Sequence, residues 1–176
     1  LLGSVSGWGQ ANLDVDNLEA AIPKMGDLRE QWEAYHDLAM AKRLSSPRDV
    51  FFIGKDDLLR VAQEMGSDSL IADSYTLMGT AKIVLDEYNE AMPYFTEGLR
   101  YAKRSRYLAI ERRIHLNLGT AFFELDNIAQ GKAEMRKALA LSEEEPNPRG
   151  QEHIFNNLGV AYEIENKLDS ALLMLE

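Results

Sequence analysis

The 176-residue chain contains no cysteine. That excludes a disulfide framework, a thiol nucleophile and any zinc site built on thiolates. It leaves the compartment open, because reducing and oxidising environments both tolerate a cysteine-free chain. No uninterrupted apolar run approaches the roughly 18 residues needed to cross a bilayer. Positive charge is in deficit: nineteen Lys and Arg face twenty-nine Asp and Glu, a net charge of −10. Such a chain is a poor non-specific binder of nucleic acid, which requires neutralised phosphates. The sequence also lacks a phosphate-binding G-x-x-x-x-G-K-[ST] loop, a G-x-S-x-G nucleophile elbow, an H-E-x-x-H pair and an EF-hand loop. What remains is an ordinary globular composition, 45% hydrophobic and 27% charged.

The two ends differ from the middle. Residues 1–11 are uncharged and apolar to small, with Gly9 and Ala11 at −3 and −1 of a cleavage point before Asn12. They read as the tail of a secretory signal peptide, the alternative being a disordered Gly/Ser-rich leader. The first reading places the mature protein outside the cytoplasm, in a bacterial periplasm; the second leaves it cytoplasmic. The chain opens on Leu1 and stops at Glu176 within an apolar helical pattern, so a fragment of a longer protein is expected.

The middle is organised by a period of forty residues. Tyr75-Thr76-Leu77-Met78-Gly79-Thr80-Ala81 is followed by His115-Leu116-Asn117-Leu118-Gly119-Thr120-Ala121, then by Phe155-Asn156-Asn157-Leu158-Gly159-Val160-Ala161. One step back lies Tyr35-His36-Asp37-Leu38-Ala39-Met40-Ala41, with Ala39 in the glycine slot. Leu59, Leu99 and Leu139 keep the same phase. Each unit reads as two helices. Leu70, Ile71, Tyr75, Met78, Ala81 and Leu85 recur at helical spacing, as do Ala91, Tyr94, Phe95, Leu99 and Ala102. Asp86-Glu87-Tyr88-Asn89 is the expected turn between them, Ser67 or Ser69 the expected cap, and Pro93 is expected within a first helical turn. Pro47 is expected near the inter-helix turn of the first unit. Repeated helix pairs without strand-like alternation predict an all-α fold, an α-solenoid.

The glycine slot has a physical reason. Two antiparallel helices joined by a short turn cross closely, and a small residue lets their backbones approach to the short end of the usual 8–10 Å. Twelve residues on, Ala91, Gly131 and Ala171 are small as well.

The pattern resembles the tetratricopeptide repeat (TPR). The third unit supplies Leu118, Gly119, Phe122, Gly131, Met135 and Ala138; the fourth supplies Phe155, Leu158, Gly159, Tyr162, Ala171 and Leu175. The second supplies Tyr75, Met78, Gly79, Ala91 and Phe95, but has Lys82 in an aromatic slot and Gly98 in the last Ala slot. The first is degenerate: Ala39 replaces Gly, Lys42 the aromatic and Phe51 the Ala. A period of forty instead of thirty-four is similar to the extended variants of bacterial regulators and kinesin light chains. The resemblance implies a right-handed superhelix with repeats at residues 27–66, 67–106, 107–146 and 147–176. Residues 12–26 would form a lead-in helix that caps the first repeat, as terminal units require. Leu172, Leu173 and Leu175 have no such cover.

The same resemblance implies that the first helix of each unit lines a concave face that binds a protein or peptide. By phase, Asn117 and Asn157, Thr80 and Thr120, and Arg113 and His153 fall on or near it. A side-chain amide donates and accepts at once, so the two asparagines suit a peptide backbone equally well as a repeat-to-repeat hydrogen bond. Thr76, Leu116 and Asn156 occupy the slot where carboxylate-clamping relatives carry Lys, so capture of a free C-terminus is not expected.

Three histidines, His36, His115 and His153, bring no second ligand at usable spacing, and no metal, cofactor or catalytic residue is expected. His115 falls in a packing slot and is expected in the core. Arg100, Lys103, Arg104, Arg106, Arg112 and Arg113 form a basic island, read either as a solvated turn or as a patch for an acidic partner. The resulting expectation is a non-catalytic interaction scaffold, resembling the N-terminal sensory region of bacterial signalling proteins in which a membrane helix and histidine kinase, or a DNA-binding domain, follow. The alternative is a free-standing adaptor or assembly chaperone.

Overall fold

A computed structural model of the chain describes residues 15–144 and 148–164, and among these every regular element is helical. Residues 1–11 of the expected leader, Pro146, Ala171 and the terminal leucines lie outside the described residues. A short helix α1 (Val15–Ala21) and a 3-10 turn (Ile22–Lys24) lead into α2 (Leu28–Lys42). There follow α3 (Pro47–Phe52), a π-helical turn (Ile53–Leu58), α4 (Leu59–Glu64), α5 (Asp68–Val84), α6 (Tyr88–Ser105), α7 (Leu108–Glu124), α8 (Ile128–Glu144) and α9 (Pro148–Ile164). Helices α2, α5, α7 and α9 therefore begin at 28, 68, 108 and 148, in steps of forty.

The turns explain the regularity. Gly66, Asp86, Arg106 and Asp126 all have positive φ, between 54° and 63°, and stand twenty residues apart. Each sits just past a helix end. The next amide then reaches back five residues: Ser67 to Ala62, Glu87 to Lys82, Tyr107 to Ala102 and Asn127 to Phe122, at 2.8–3.1 Å. This Schellman closure satisfies carbonyls that the helix end leaves unpaired. The residue that closes one helix is the N-cap of the following one, so the chain reverses in about three residues. Glycine and aspartate tolerate the left-handed conformation; Arg106 pays a Cβ clash of about 1–2 kcal/mol for it.

Four details differ from the sequence expectation. The expected turn over Asp86, Glu87, Tyr88 and Asn89 is shorter, because Tyr88 and Asn89 already belong to α6. Ser67 is the N-cap of α5, but its hydroxyl meets that of Ser69 at 3.2 Å and caps no backbone amide. Helix α6 starts at Tyr88, so Pro93 lies in its second turn, on an exposed face. In the first repeat, the buried counterpart of Ala91 is Val50 and not Phe51. The reason is one extra residue. Val50 precedes Ala91 by forty-one positions, whereas Ala62 precedes the equally buried Ala102 by forty. The π-helical turn lies between Val50 and Ala62 and absorbs the surplus, since a π-turn holds one residue more than an α-turn.

Within each pair the helices cross where side chains are small. A Cβ on Gly79 would lie 2.6 Å from the Phe95 ring. One on Gly119 would lie 2.8 Å from Met135 Cε and 3.1 Å from the Gly131 carbonyl oxygen. One on Gly131 would strike the Phe123 ring at 2.3 Å. Between pairs, Gly98 of α6 lets Ile114 of α7 approach: a Cβ there would lie 3.0 Å from Ile114 Cδ1. Buried apolar residues form three successive clusters. The first runs from Leu18 to Ala81, the second centres on Phe95 and Ile114, and the third on Met135 and Ile154. A core divided this way is that of a stack of helix pairs, each resting on its neighbours.

Two substitutions test this account. Gly119→Leu is expected to destabilise the fold by roughly 1–3 kcal/mol through overpacking; Gly26→Ala, with nothing within 4 Å of the added carbon, is the neutral control. Arg106→Gly is expected to stabilise by about 1 kcal/mol by removing the left-handed strain. Urea denaturation of the three variants measures both effects.

Candidate interaction groove

The first helices of successive repeats lie side by side, α5 against α7 and α7 against α9. Their packing leaves a cleft of about 300 Å³. Ile110, Leu116 and Ile154 line its apolar part; Asp73, Tyr107, Arg112 and Arg113 supply its polar part. Ile110 and Ile154 are buried core residues, while Tyr107 is 47% exposed.

Polar side chains stitch the helices along this face. Asn117 Nδ2 donates to Thr80 Oγ1 at 3.0 Å, and Thr80 donates in turn to the Thr76 carbonyl at 2.8 Å. Thr120 donates to the Leu116 carbonyl at 3.2 Å. Asn117 thus makes the repeat-to-repeat bond, with the amide oxygen left over as an acceptor. Asn157 is half-buried on α9, and His153, on the same helix, is exposed. Arg113 pairs with Asp73 across the repeat boundary. Asp73 also lies 3.8 Å from His36 Nε2, whose ring stacks on Trp32 at 5.1 Å. His36 therefore does have a carboxylate neighbour, contrary to the sequence expectation; it comes from the next repeat, where helical spacing alone does not reveal it.

The basic island is largely paired. Arg100 meets Glu97 at 2.6 Å, Arg104 meets Asp68 at 3.2 Å and Lys103 lies 3.8 Å from Glu111. Several of these bonds join elements that the chain must stack: α6 to α5, α6 to α7 and α7 to α5. Asp73 is the residue whose part in the groove the sequence reading missed. A signal was present, since Asp73 and Arg113 are opposite charges one full period apart.

His115 is buried, as expected, and holds a polar cluster behind the groove. Its Nδ1 lies 2.6 Å from Glu134 Oε2 and its Nε2 lies 3.8 Å from Glu111 Oε1. Lys137 adds a 2.7 Å contact to Glu134. Burial pushes the Glu134 carboxyl up, but the hydrogen bonds from His115 and Lys137 outweigh it and hold the pKa below its ordinary value of 4.5. Glu134 is thus ionised and accepts, and His115 Nδ1 donates. Among the described residues, no three His, Asp or Glu side chains are arranged to hold a metal ion. Among the same residues, no helix is long and apolar enough to cross a membrane.

The fold defines a structural class, the TPR-like all-α solenoid of stacked helix pairs. The tetratricopeptide repeat model matches residues 113–145, the stretch that carries α7 and α8. The crystal structure of BtubC (BKLC) from P. vanneervenii is similar over 92% of this chain and 70% of that one, with a TM-score of 0.75 and 18% sequence identity. The crystal structure of MamA is similar over 90% of both chains, with a TM-score of 0.51 and 15% identity. No curated protein matches the sequence. At these identities the likeness is one of fold.

The Glu134 cluster makes a pH prediction. A carboxyl whose folded pKa is depressed stabilises fully above its unfolded pKa and loses that contribution as the pH falls through the folded value. The difference in melting temperature between wild type and Glu134→Gln is therefore expected to be largest near neutral pH and to shrink as the pH falls below the ordinary carboxylate range. Thermal melts of both proteins across pH 3–7 measure it.

Proposed function

We propose that the chain is a non-catalytic scaffold that holds a peptide or protein segment on the face formed by the first helices of its repeats. The observation that carries this reading is the cleft between α5, α7 and α9, where Ile110, Leu116 and Ile154 lie with Asp73, Tyr107, Arg112 and Arg113; Thr80, Asn117, Thr120 and Asn157 are half-buried on the same first helices. An extended segment needs this combination, with side-chain pockets for affinity and amides or hydroxyls for the main chain. The TPR match and the TPR-like fold support the scaffold reading at the level of class. The wider setting we propose is the sensory or regulatory part of a larger bacterial signalling protein. It rests on the forty-residue period and the degenerate first repeat. In the gene beyond Glu176, an apolar segment of about 20 residues followed by a kinase signature would support it; a stop codon after one or two further repeats would favour the adaptor.

The groove is tested by the double variant Asn117→Ala/Asn157→Ala. A partner captured by wild type is expected to be captured several-fold less, with the fold retained by circular dichroism. Undiminished capture would take the two amides out of the binding face. Thr80→Val, which removes the acceptor of the Asn117 hydrogen bond and keeps the amide, separates binding from that bond: it is expected to lower the melting temperature and leave capture intact.

A further inference from the structure

The polar rim of the cleft between α5, α7 and α9 carries Arg112, Arg113, the Tyr107 hydroxyl and Asp73. Arg106, next to Tyr107 in the chain, is an exposed cation on a protein of net charge −10. Arg113 is held by Asp73 across the repeat boundary, yet its side chain remains 48% exposed, so one edge of the guanidinium still faces solvent. The Asp73 side chain is 17% exposed and has His36 on its other side.

We infer that this cleft takes an acidic residue of the bound segment together with a neighbouring apolar side chain, and that Asp73 is the internal counterion which the incoming carboxylate displaces or shares at Arg113. The inference rests on the groove reading above. Guanidinium recognises carboxylate in a planar two-toothed geometry, so an Asp or Glu of the ligand offers Arg113 the same bond that Asp73 does. The apolar floor of Ile110, Leu116 and Ile154 lies in the same cleft, within one or two residues of that bond along an extended chain. At about 300 Å³ the cleft is at the small end of ligand sites, which suits one large side chain rather than a folded surface. Asp73 then sets specificity. It repels an acidic ligand and competes for Arg113, so only a segment that also fills the apolar floor binds well. His36 takes over part of the Asp73 contact once Arg113 turns to the ligand.

The test is a selection of random decapeptides displayed on phage against the full 176-residue chain, followed by fluorescence anisotropy with the recovered peptides. Support requires recovered peptides enriched in Asp or Glu next to an apolar residue, and affinity that falls as salt rises. Arg113→Gln should then bind about tenfold more weakly, Arg113→Lys should recover part of the loss, and Asp73→Asn should bind several-fold more tightly. Tightening by Asp73→Asn cannot come from damage to the fold, which only weakens binding. Peptides without acidic enrichment, or Asp73→Asn binding no better than wild type, overturn the inference. If such peptides are still weakened by Thr120→Lys, the groove reading survives; if no peptide is recovered, or Thr120→Lys changes nothing, the groove reading falls with it.

Discussion

Close approach of paired helices at residues without a side chain is the constraint on which the rest of the structure depends. At Gly79 the Phe95 ring occupies the space a Cβ would need, and at Gly119 the Met135 side chain does the same. The large side chain of one helix is seated in the missing side chain of its partner. This fixes where along their length the two helices cross. The turns, closed by left-handed residues every twenty positions, then have one length that fits. Crossing point and turn length together set the period, and the period places the first helices beside one another to form a face.

The fold was legible because this constraint writes itself directly into sequence. Glycine in phase with glycine, bulky residues flanking it and a polar turn between are local signals repeated at a constant interval, and repetition lifts them above chance. The first repeat was read less well for a definite reason. Its second helix carries one residue too many, so alignment by forty put Phe51 in the place that Val50 occupies. A π-helical turn restores the register at Leu58, and nothing in Ile53-Gly54-Lys55-Asp56-Asp57-Leu58 announces that turn beforehand. The capping bond of α5 is hidden in the sequence on similar grounds. The position of Ser67 was readable, but whether its hydroxyl meets a backbone amide or Ser69 depends on a side-chain rotamer.

The candidate site was legible only as a phase. Periodicity put Thr80, Asn117, Thr120 and Arg113 on one stripe of the first helices, but it says nothing about what each side chain touches. The structure gives Asn117 to Thr80 and Arg113 to Asp73, both across a repeat boundary. Contacts of that kind depend on the rise and twist between repeats, which a single unit does not encode. They do leave a pairwise trace. Opposite charges one period apart, as in Asp73 and Arg113, are what stacking in register brings together.

Residues that stitch the repeats together, Asn117 and Arg113, are also residues of the proposed binding face, and under that proposal stacking and binding are coupled. Partly exposed ion pairs such as Arg113 with Asp73 hold the stack only weakly, by about 0–1 kcal/mol each, because water competes for the guanidinium. Weak bonds at a boundary can be exchanged without unstacking the helices, whose register is held by the buried clusters behind them. A ligand that borrows a groove residue from its internal partner therefore loses little stacking energy, while it gains a donor already held in place. The amide of Asn117 and the guanidinium of Arg113 are both oriented by bonds of this exchangeable kind. Under the proposed function, preorganisation by weak internal partners would let one surface hold the repeats in register in the free protein and present directed polar groups to a segment laid across it.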